Sequence, residues 1–243
     1  MATSNDSVDP LANSRIDNAA ALARAVFGAA PVVGSALTEL VSSVIPNQRV
    51  DRLARFAREL ETRLGALGEE VMRLKLRDES LTSLVEEAMR HVVRSTTQER
   101  IRYIAALVSN GINKEQISYA ETEHLLRILG ELNDVEVIWL RGYLNETIGS
   151  DKAFRELHKA VLEPVRAFIG SDRSVLDKAA LQESYKQHLA SLGLLAARYR
   201  PDRQLARSSV ADPGKSLEIA GYRITSLGRL LLRSIDLSGE SSG

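Results

Sequence analysis

The side chains in this chain that are best suited to metal chemistry are its histidines and glutamates. The four histidines are His91, His124, His158 and His188, and none belongs to a His-Glu-x-x-His pair of the kind that binds zinc. Glu121 and His124 have the Glu-x-x-His spacing of di-iron bundles, but such a site needs a second copy of the motif, which the sequence lacks. We therefore predict no metal site and no cofactor.

Motifs for nucleophilic and nucleotide chemistry are also missing from the sequence. It contains no cysteine, which removes thiol nucleophiles and disulfides. There is no Gly-x-Ser-x-Gly turn and no phosphate-binding loop, and Gly65 and Gly68 lie inside a helical pattern rather than after a strand. We predict no catalytic residues and a protein that is not an enzyme.

Basic residues near the C-terminus form the candidate contact for nucleic acid. In a winged helix, arginines of the wing hold phosphates while a helix enters the major groove. Here that helix is close to neutral, and the chain has 32 Lys+Arg against 32 Asp+Glu, so no overall field attracts nucleic acid. Nucleic acid is thus a less favoured partner than protein. The candidate residues are Lys186, Arg198, Arg200, Arg203 and Arg207.

Residues 23–46, ARAVFGAAPVVGSALTELVSSVIP, carry no charge between Arg24 and Glu39. This run is shorter than the roughly twenty residues of a membrane-spanning helix, and Pro31 divides it. We predict two short amphipathic helices, which either lie in a membrane interface or pack in a protein core or oligomer interface. The predicted contact residues are Leu22, Val26, Phe27, Gly28, Val33, Gly34 and Leu37.

A heptad pattern dominates the next part of the chain. Apolar residues recur at spacings of three and four from Val50 to Leu74 and resume in phase from Leu81 to Val92. The pattern predicts a long helix, or two stacked helices, within a multi-helix bundle. Gly65 and Gly68 would permit a close crossing or a kink, and residues 78–80 predict a break with Ser80 as the cap.

Shorter helices are predicted further along. A capping box at residues 95–98 starts a helix that ends at Gly111, and residues 118–130 form another. Asn133 caps a third helix, and Pro164 interrupts a fourth.

In the C-terminal part of the chain, the sequence pattern changes from helices alone to helices and strands. LDKAALQESYKQHLASLGLL predicts a helix ending at Gly193, LLAARYRP and SLEIAGYRIT predict strands, and TSLGRLLLRSI predicts a helix capped by Thr225 or Ser226. A helix, two strands joined by a loop, and a closing helix are typical of the back half of a winged helix.

The predicted fold class is mainly α, a helical bundle with a long heptad-patterned helix plus a C-terminal winged-helix-like domain with a small β-ribbon. Because the apolar run begins behind several aspartates, we expect no secretory signal and a cytoplasmic protein, peripheral at the inner membrane if it engages lipid. The predicted divisions are a disordered tail (1–14), an apolar helical hairpin (15–46), a long-helix bundle (47–116), a winged-helix-like domain (117–237) and a disordered tail (238–243).

Three segments resemble a known bacterial group. FGAAPVVGSALTEL, TTQERIRYIAALVSNGI and HLASLGLLAARYRP with GYRITSLGRLLLRSI are similar to segments of the abortive-infection alpha-type family. The resemblance implies phage-defence or stress-linked activity, exerted through the membrane or by protein contact, and it brings no catalytic residues.

Two functions follow as hypotheses. The first is a non-enzymatic bacterial effector, a homo-oligomer that acts by self-assembly or membrane engagement of residues 19–45. The second is a regulatory or adaptor protein whose winged helix binds DNA or a protein partner, with the bundle as the dimerisation module.

Overall fold

The computed structural model describes residues 50–113, 117–144, 151–199 and 219–238. These residues are mainly helical with one two-stranded antiparallel sheet, as predicted. The chain divides into two compact units, Met1–Arg127 and Ile128–Gly243. The seven predicted contact residues between Leu22 and Leu37 lie outside the described residues, as do Arg200, Arg203 and Arg207.

The first unit is built around three packed helices. Its helices are α1 (Val50–Leu64), α2 (Glu69–Lys75), α3 (Glu79–Arg94) and α4 (Gln98–Asn113), with a 3-10 turn at Gly65–Leu67. Helices α1, α3 and α4 pack against one another, and α4 is the most enclosed of the three because every residue from Ile104 to Ser109 is buried. The buried side chains include Leu53, Phe56, Leu60, Leu64, Leu84, Met89, Ile104 and Leu107. Helix α5 (Tyr119–Glu131) follows and runs across the boundary between the units.

The heptad-patterned stretch is not one continuous helix. Gly68 has a φ of 79°, a left-handed conformation that ends the preceding helical run. The heptad residues from Leu53 to Leu64 and from Leu81 to Val92 are buried as predicted, and Leu67 is half-buried. Val71 and Leu74, in contrast, are 42% and 64% exposed, while Met72 is buried in their place. The break at Gly68 changes the phase of the pattern, so the predicted seam fails across α2.

The cap of α3 differs from the predicted one. The N-cap of α3 is Asp78 rather than Ser80. The Asp78 carboxylate accepts a hydrogen bond from the Ser80 backbone N–H at 2.8 Å. The capping box predicted at residues 95–98 also differs. Ser95 ends α3, and it is the Thr97 hydroxyl that accepts a hydrogen bond from the Arg100 N–H at the start of α4. Both differences follow from which side chain reaches the free N–H groups of the first turn.

Gly111 is not the C-cap that the sequence predicts. It lies inside α4, which continues to Asn113, and it is buried against α5. A Cβ atom placed on Gly111 would lie 2.7 Å from Cγ2 of Thr122. The absence of a side chain therefore lets α4 and α5 approach closely.

The second unit contains helices α6 (Asp134–Gly142), α7 (Lys152–Leu157), α8 (Lys159–Leu162), α9 (Arg173–Ser191) and α10 (Ser226–Ser234). Strands β1 (Leu195–Tyr199) and β2 (Ile219–Ile224) form its ribbon. Helix α6 begins with the predicted cap, in which Asn133 and Glu136 exchange hydrogen bonds with each other's backbone N–H groups. Helix α6 packs against α8 and α9, and α9 packs against β1.

The helical run that precedes Pro164 ends at Leu162, as the proline predicts. The side chain of Gln182 satisfies the backbone that this break exposes. Its amide oxygen accepts from the Val165 N–H at 3.0 Å, and its amide nitrogen donates to the Glu163 carbonyl at 2.9 Å. One glutamine on α9 therefore holds the irregular segment after α8.

The ribbon pairs Leu195 with Ile224 at one end and Tyr199 with Ile219 at the other. Gly193, with a φ of 72°, turns the chain from α9 into β1. Thr225 caps α10, as one of the two predicted alternatives, and its hydroxyl also donates to the Gly193 carbonyl at 2.7 Å. The helix, strand, strand and helix appear in the predicted order.

Candidate functional site

The two faces of the ribbon differ in character because successive side chains on a strand point to opposite sides. Leu195, Tyr222 and Ile224 are buried on one face. The other face carries Ala196 opposite Arg223 and Arg198 opposite Gly221. Its two large side chains are both exposed arginines. We call this second side the outer face of the ribbon.

A third arginine joins these two at the start of α10. Arg198, Arg223 and Arg229 line a concavity of about 420 Å³ together with Ile224. Arg229 also donates from Nη1 to the Leu144 carbonyl at 3.4 Å, which ties it to the end of α6. We call these three arginines the arginine cradle. Within the part of the chain that the structure describes, none of them forms an ion pair with a carboxylate.

The ribbon is fastened to α9 through Tyr222. The phenolic hydroxyl of Tyr222 donates to Oε1 of Glu183 at 2.8 Å. Burial raises the pKa of Tyr222 to about 12, and the hydrogen bond to Glu183 and the charge of that carboxylate act in the same direction. Tyr222 therefore stays a neutral donor across the physiological range of pH.

Helix α10 approaches the ribbon closely at Gly228. A Cβ atom on Gly228 would lie 2.5 Å from the Leu194 carbonyl oxygen and 2.9 Å from the Ile224 side chain. Only glycine permits this approach, which brings Arg229 beside the strands. The arginine cradle thus stands on elements that are held by packing and hydrogen bonds.

Lys186 was predicted to contact nucleic acid, and the structure places it in a different environment from the cradle. Its Nζ lies 5.3 Å from the centre of the Trp139 ring and 3.4 Å from Oε2 of Glu183. On the same helix, Nδ1 of His188 lies 2.7 Å from Oε1 of Glu136. These contacts join α9 to α6, and Lys186 does not line the concavity.

Of the predicted basic residues, the structure brings Arg198 together with Arg223 and Arg229, neither of which was among the predicted contacts. Strand alternation contains a signal for Arg223, because it lies between the buried residues Tyr222 and Ile224. Arg229 has no comparable local signal, because its position depends on how α10 meets the ribbon.

A second concavity, of about 470 Å³, lies between α6, α8 and α9. Its walls include Trp139, Val161, Pro164, Leu181 and Tyr185. Trp139 is 7% exposed and belongs to the core, as predicted, whereas Leu181 is half exposed. This groove is mostly apolar and lacks the concentrated charge of the arginine cradle.

Arg141 is a buried charge in the same unit. Its Nη2 lies 2.5 Å from Oδ2 of Asp151, and its guanidinium carbon lies 5.0 Å from the centre of the Phe154 ring. A buried arginine that is paired and stacked in this way joins two segments rather than presenting charge to a ligand.

A metal site and a membrane-spanning helix are two further features that the described residues could contain. No three His, Asp or Glu side chains converge there in an arrangement that could hold a metal ion. Glu121, from the Glu-x-x-His motif, instead accepts the Ser118 backbone N–H at 2.6 Å, and this hydrogen bond lowers the pKa of its carboxyl. None of the helices in the described ranges has the length and apolar character needed to cross a bilayer.

Comparison with known proteins adds no family assignment. No protein-family model, curated protein or solved structure matches this chain. The resemblance to the abortive-infection alpha-type family therefore rests on the three segments quoted above.

Proposed function

We propose that the chain is a non-enzymatic bacterial effector, linked to phage defence or stress, with two functional parts. Residues 19–45 act by self-assembly or by engaging a membrane. The C-terminal unit is a winged-helix-like docking module that binds a partner. The observation that carries the docking role is the outer face of the ribbon, which is firmly anchored on its other side and presents charge outward.

The anchoring supports a docking role because a binding surface works best when its side chains stand on rigid elements. Tyr222 and Gly228 hold the ribbon to α9 and α10, while Arg198 and Arg223 are the large side chains at the positions of the outer face paired with Gly221 and Ala196. Such a face gains little from packing against the remainder of its own unit. It is suited to a partner that carries negative charge.

A regulatory or adaptor protein is the second candidate function. In this case the winged-helix-like unit binds DNA or a protein, and the helices of the first unit serve for dimerisation. The arginine cradle supports the part of this candidate function in which the C-terminal unit binds a partner. The two candidates differ in whether the N-terminal segment is itself active.

The support for an active N-terminal segment comes from its sequence. The charge-free run places Val33 and Phe27 on apolar stripes, with Ser42 and other polar residues opposite. An amphipathic pair of helices of this kind gains free energy by burying its apolar stripe in lipid or against another copy.

Liposome co-sedimentation with dye release, together with sedimentation velocity, tests this part on the full-length chain. We expect the intact protein to bind liposomes or to self-assemble, and we expect Val33→Asp or Phe27→Asp to abolish that behaviour. Ser42→Asp adds the same charge on the polar side and should leave it intact. If the intact chain neither binds liposomes nor associates, the proposed role of residues 19–45 is wrong.

A further inference from the structure

We propose that the arginine cradle is a binding site for the phosphate backbone of a nucleic-acid duplex. The inference rests on the docking role proposed above for the C-terminal unit and names its partner. It assigns the contact to Arg198, Arg223 and Arg229.

The charge of the cradle is the first argument. Several exposed arginines on helices in the described residues are paired with glutamates three or four positions away, as Arg90 is with Glu87 and Arg73 is with Glu69. The cradle arginines have no such partner in the described ranges, although all three line one concavity. Because like charges repel, three guanidinium groups in one place favour a ligand with several negative charges.

The geometry of the side chains is the second argument. A guanidinium group presents a planar set of N–H donors that matches two oxygens of a phosphate. On the outer face Arg223 is paired with the small residue Ala196 and Arg198 with Gly221, and a Cβ atom on Gly221 would have no atom within 4 Å. A phosphodiester backbone can therefore approach the ribbon closely along this face.

The described part of the lining favours a duplex over other phosphate ligands. Beyond the three arginines, the described lining contains only Ile224, which is 6% exposed. A lipid headgroup site gains affinity from neighbouring apolar surface, and single strands and mononucleotides gain it from aromatic rings that stack on bases. A duplex shields its bases and presents successive phosphates, so clustered guanidinium groups are sufficient to bind it.

The test is fluorescence anisotropy of a short mixed-sequence DNA duplex with the full-length chain over a series of salt concentrations. The variant with Arg198→Gln, Arg223→Gln and Arg229→Gln should bind at least about tenfold more weakly. The slope of the logarithm of its binding constant against the logarithm of salt concentration should be smaller in magnitude by roughly 2 to 3. The variant with three Arg→Lys substitutions should keep most of this salt dependence but bind more weakly, because lysine keeps the positive charge and lacks the planar pair of N–H donors of guanidinium.

A matched control removes the same charge elsewhere in the unit. Lys152, Arg166 and Arg173 are exposed and do not line the concavity, so their replacement by glutamine should leave duplex affinity nearly unchanged. A further variant neutralises Arg200, Arg203 and Arg207, which follow Arg198 in the sequence. Circular dichroism of each variant confirms folding, and Arg223→Gln alone serves if the triple variant does not fold.

Several outcomes would overturn the assignment. These are no binding of the duplex by the intact chain, an equal loss in the cradle and control variants, or a loss confined to the Arg200, Arg203 and Arg207 variant. Cradle-dependent binding to anionic liposomes without duplex binding would also overturn it. A chain that ignores the duplex but still self-assembles or binds liposomes would leave the proposed effector role standing.

Discussion

The phenolic oxygen of Tyr222 lies 2.8 Å from Oε1 of Glu183, a contact between residues 39 positions apart that joins β2 to α9. The other oxygen of the same carboxylate lies 3.4 Å from Nζ of Lys186, which also faces the Trp139 ring. Glu183 thus links the ribbon to the helices beneath it. The position of the arginine cradle depends on this link.

Tyr222→Phe removes the hydrogen bond while keeping the ring. We expect a loss of about 1 kcal/mol in the free energy of unfolding, because a hydrogen bond to a charged group stabilises but Glu183 is partly exposed and water can replace the donor. Urea unfolding measures this change. Tyr199→Phe, at a position 53% exposed, is the control and should be neutral. Equal effects of the two substitutions would show that the Tyr222 hydroxyl contributes nothing specific.

Alkaline pH should destabilise the second unit through two tyrosines. Burial raises the pKa of both Tyr143 and Tyr222 from 10.0 to about 12, with the negative charge of Glu183 adding to the effect. The unfolded chain loses these protons near pH 10 while the folded chain keeps them. The stabilising contribution is therefore complete below pH 10 and is lost as pH rises toward about 12.

Ultraviolet absorbance of the phenolate ion tests this expectation. Between pH 10 and 12 the native chain should form fewer phenolates than the same chain in denaturant, and Tyr222→Phe should narrow the difference. Identical titration curves in the native and denatured states would contradict the desolvation of these two hydroxyl groups.

Acidic pH should destabilise the first unit through Glu87 and His91 on α3. Burial lowers the pKa of His91 below 6.5 because the imidazolium form is poorly solvated, and the hydrogen bond from Arg90 lowers the pKa of Glu87 below 4.5. Both groups bind protons more readily in the unfolded chain. The His91 contribution is lost as pH falls below 6.5, and the Glu87 contribution is lost as pH falls below 4.5.

Thermal unfolding of the native chain and of His91→Gln over a range of pH measures the histidine part. The native chain should lose stability as pH drops from neutrality, and the variant should lose less, because glutamine cannot take up the proton. Parallel profiles for the two proteins would show that His91 does not contribute to acid sensitivity.

Gly111→Ala should destabilise the packing of α4 on α5. The added Cβ would lie 2.7 Å from Cγ2 of Thr122, and overpacking of this kind costs about 1–3 kcal/mol, against a gain of about 1 kcal/mol from helix propensity. Adding Thr122→Ala removes the two closest atoms, Cγ2 and Oγ1, and should restore part of the lost stability. Chemical unfolding of the single and double variants measures how far their changes in unfolding free energy depart from additivity.

Gly65→Ala provides the control, because the nearest atom to its added Cβ lies at an ordinary distance of 3.4 Å. If Gly111→Ala were as stable as the native chain, α4 and α5 would not be in close contact at this point.

Several structural features were predictable because they depend on residues close together in the chain. The Asn133 cap, the break before Pro164 and the Thr225 cap each involve a side chain and backbone groups within a few positions. The exchange of hydrogen bonds between Asn133 and Glu136 needs no tertiary contact to form.

Other features could not be predicted because a distant residue decides them. Gly111 has the local surroundings of a C-cap, but Thr122 on the next helix explains why it is glycine. Val71 and Leu74 fit the heptad pattern, yet the left-handed φ of Gly68 breaks the phase and leaves them exposed. The local sequence is the same whether Gly111 is a C-cap or a packing glycine, and whether Val71 and Leu74 are buried or exposed. Only the tertiary packing distinguishes these alternatives.

By itself, the sequence determined the mainly helical class, the order of helix and strand around the ribbon, and the charge-free N-terminal segment, because composition and periodicity are local properties. The tertiary structure decided which arginines meet. Arg198 and Arg223 share the outer face because the pairing register places Ala196 opposite Arg223 and Arg198 opposite Gly221. Arg229 joins them because Gly228 allows α10 to approach the Leu194 carbonyl. Register and close approach depend on contacts between distant residues, which no local pattern encodes.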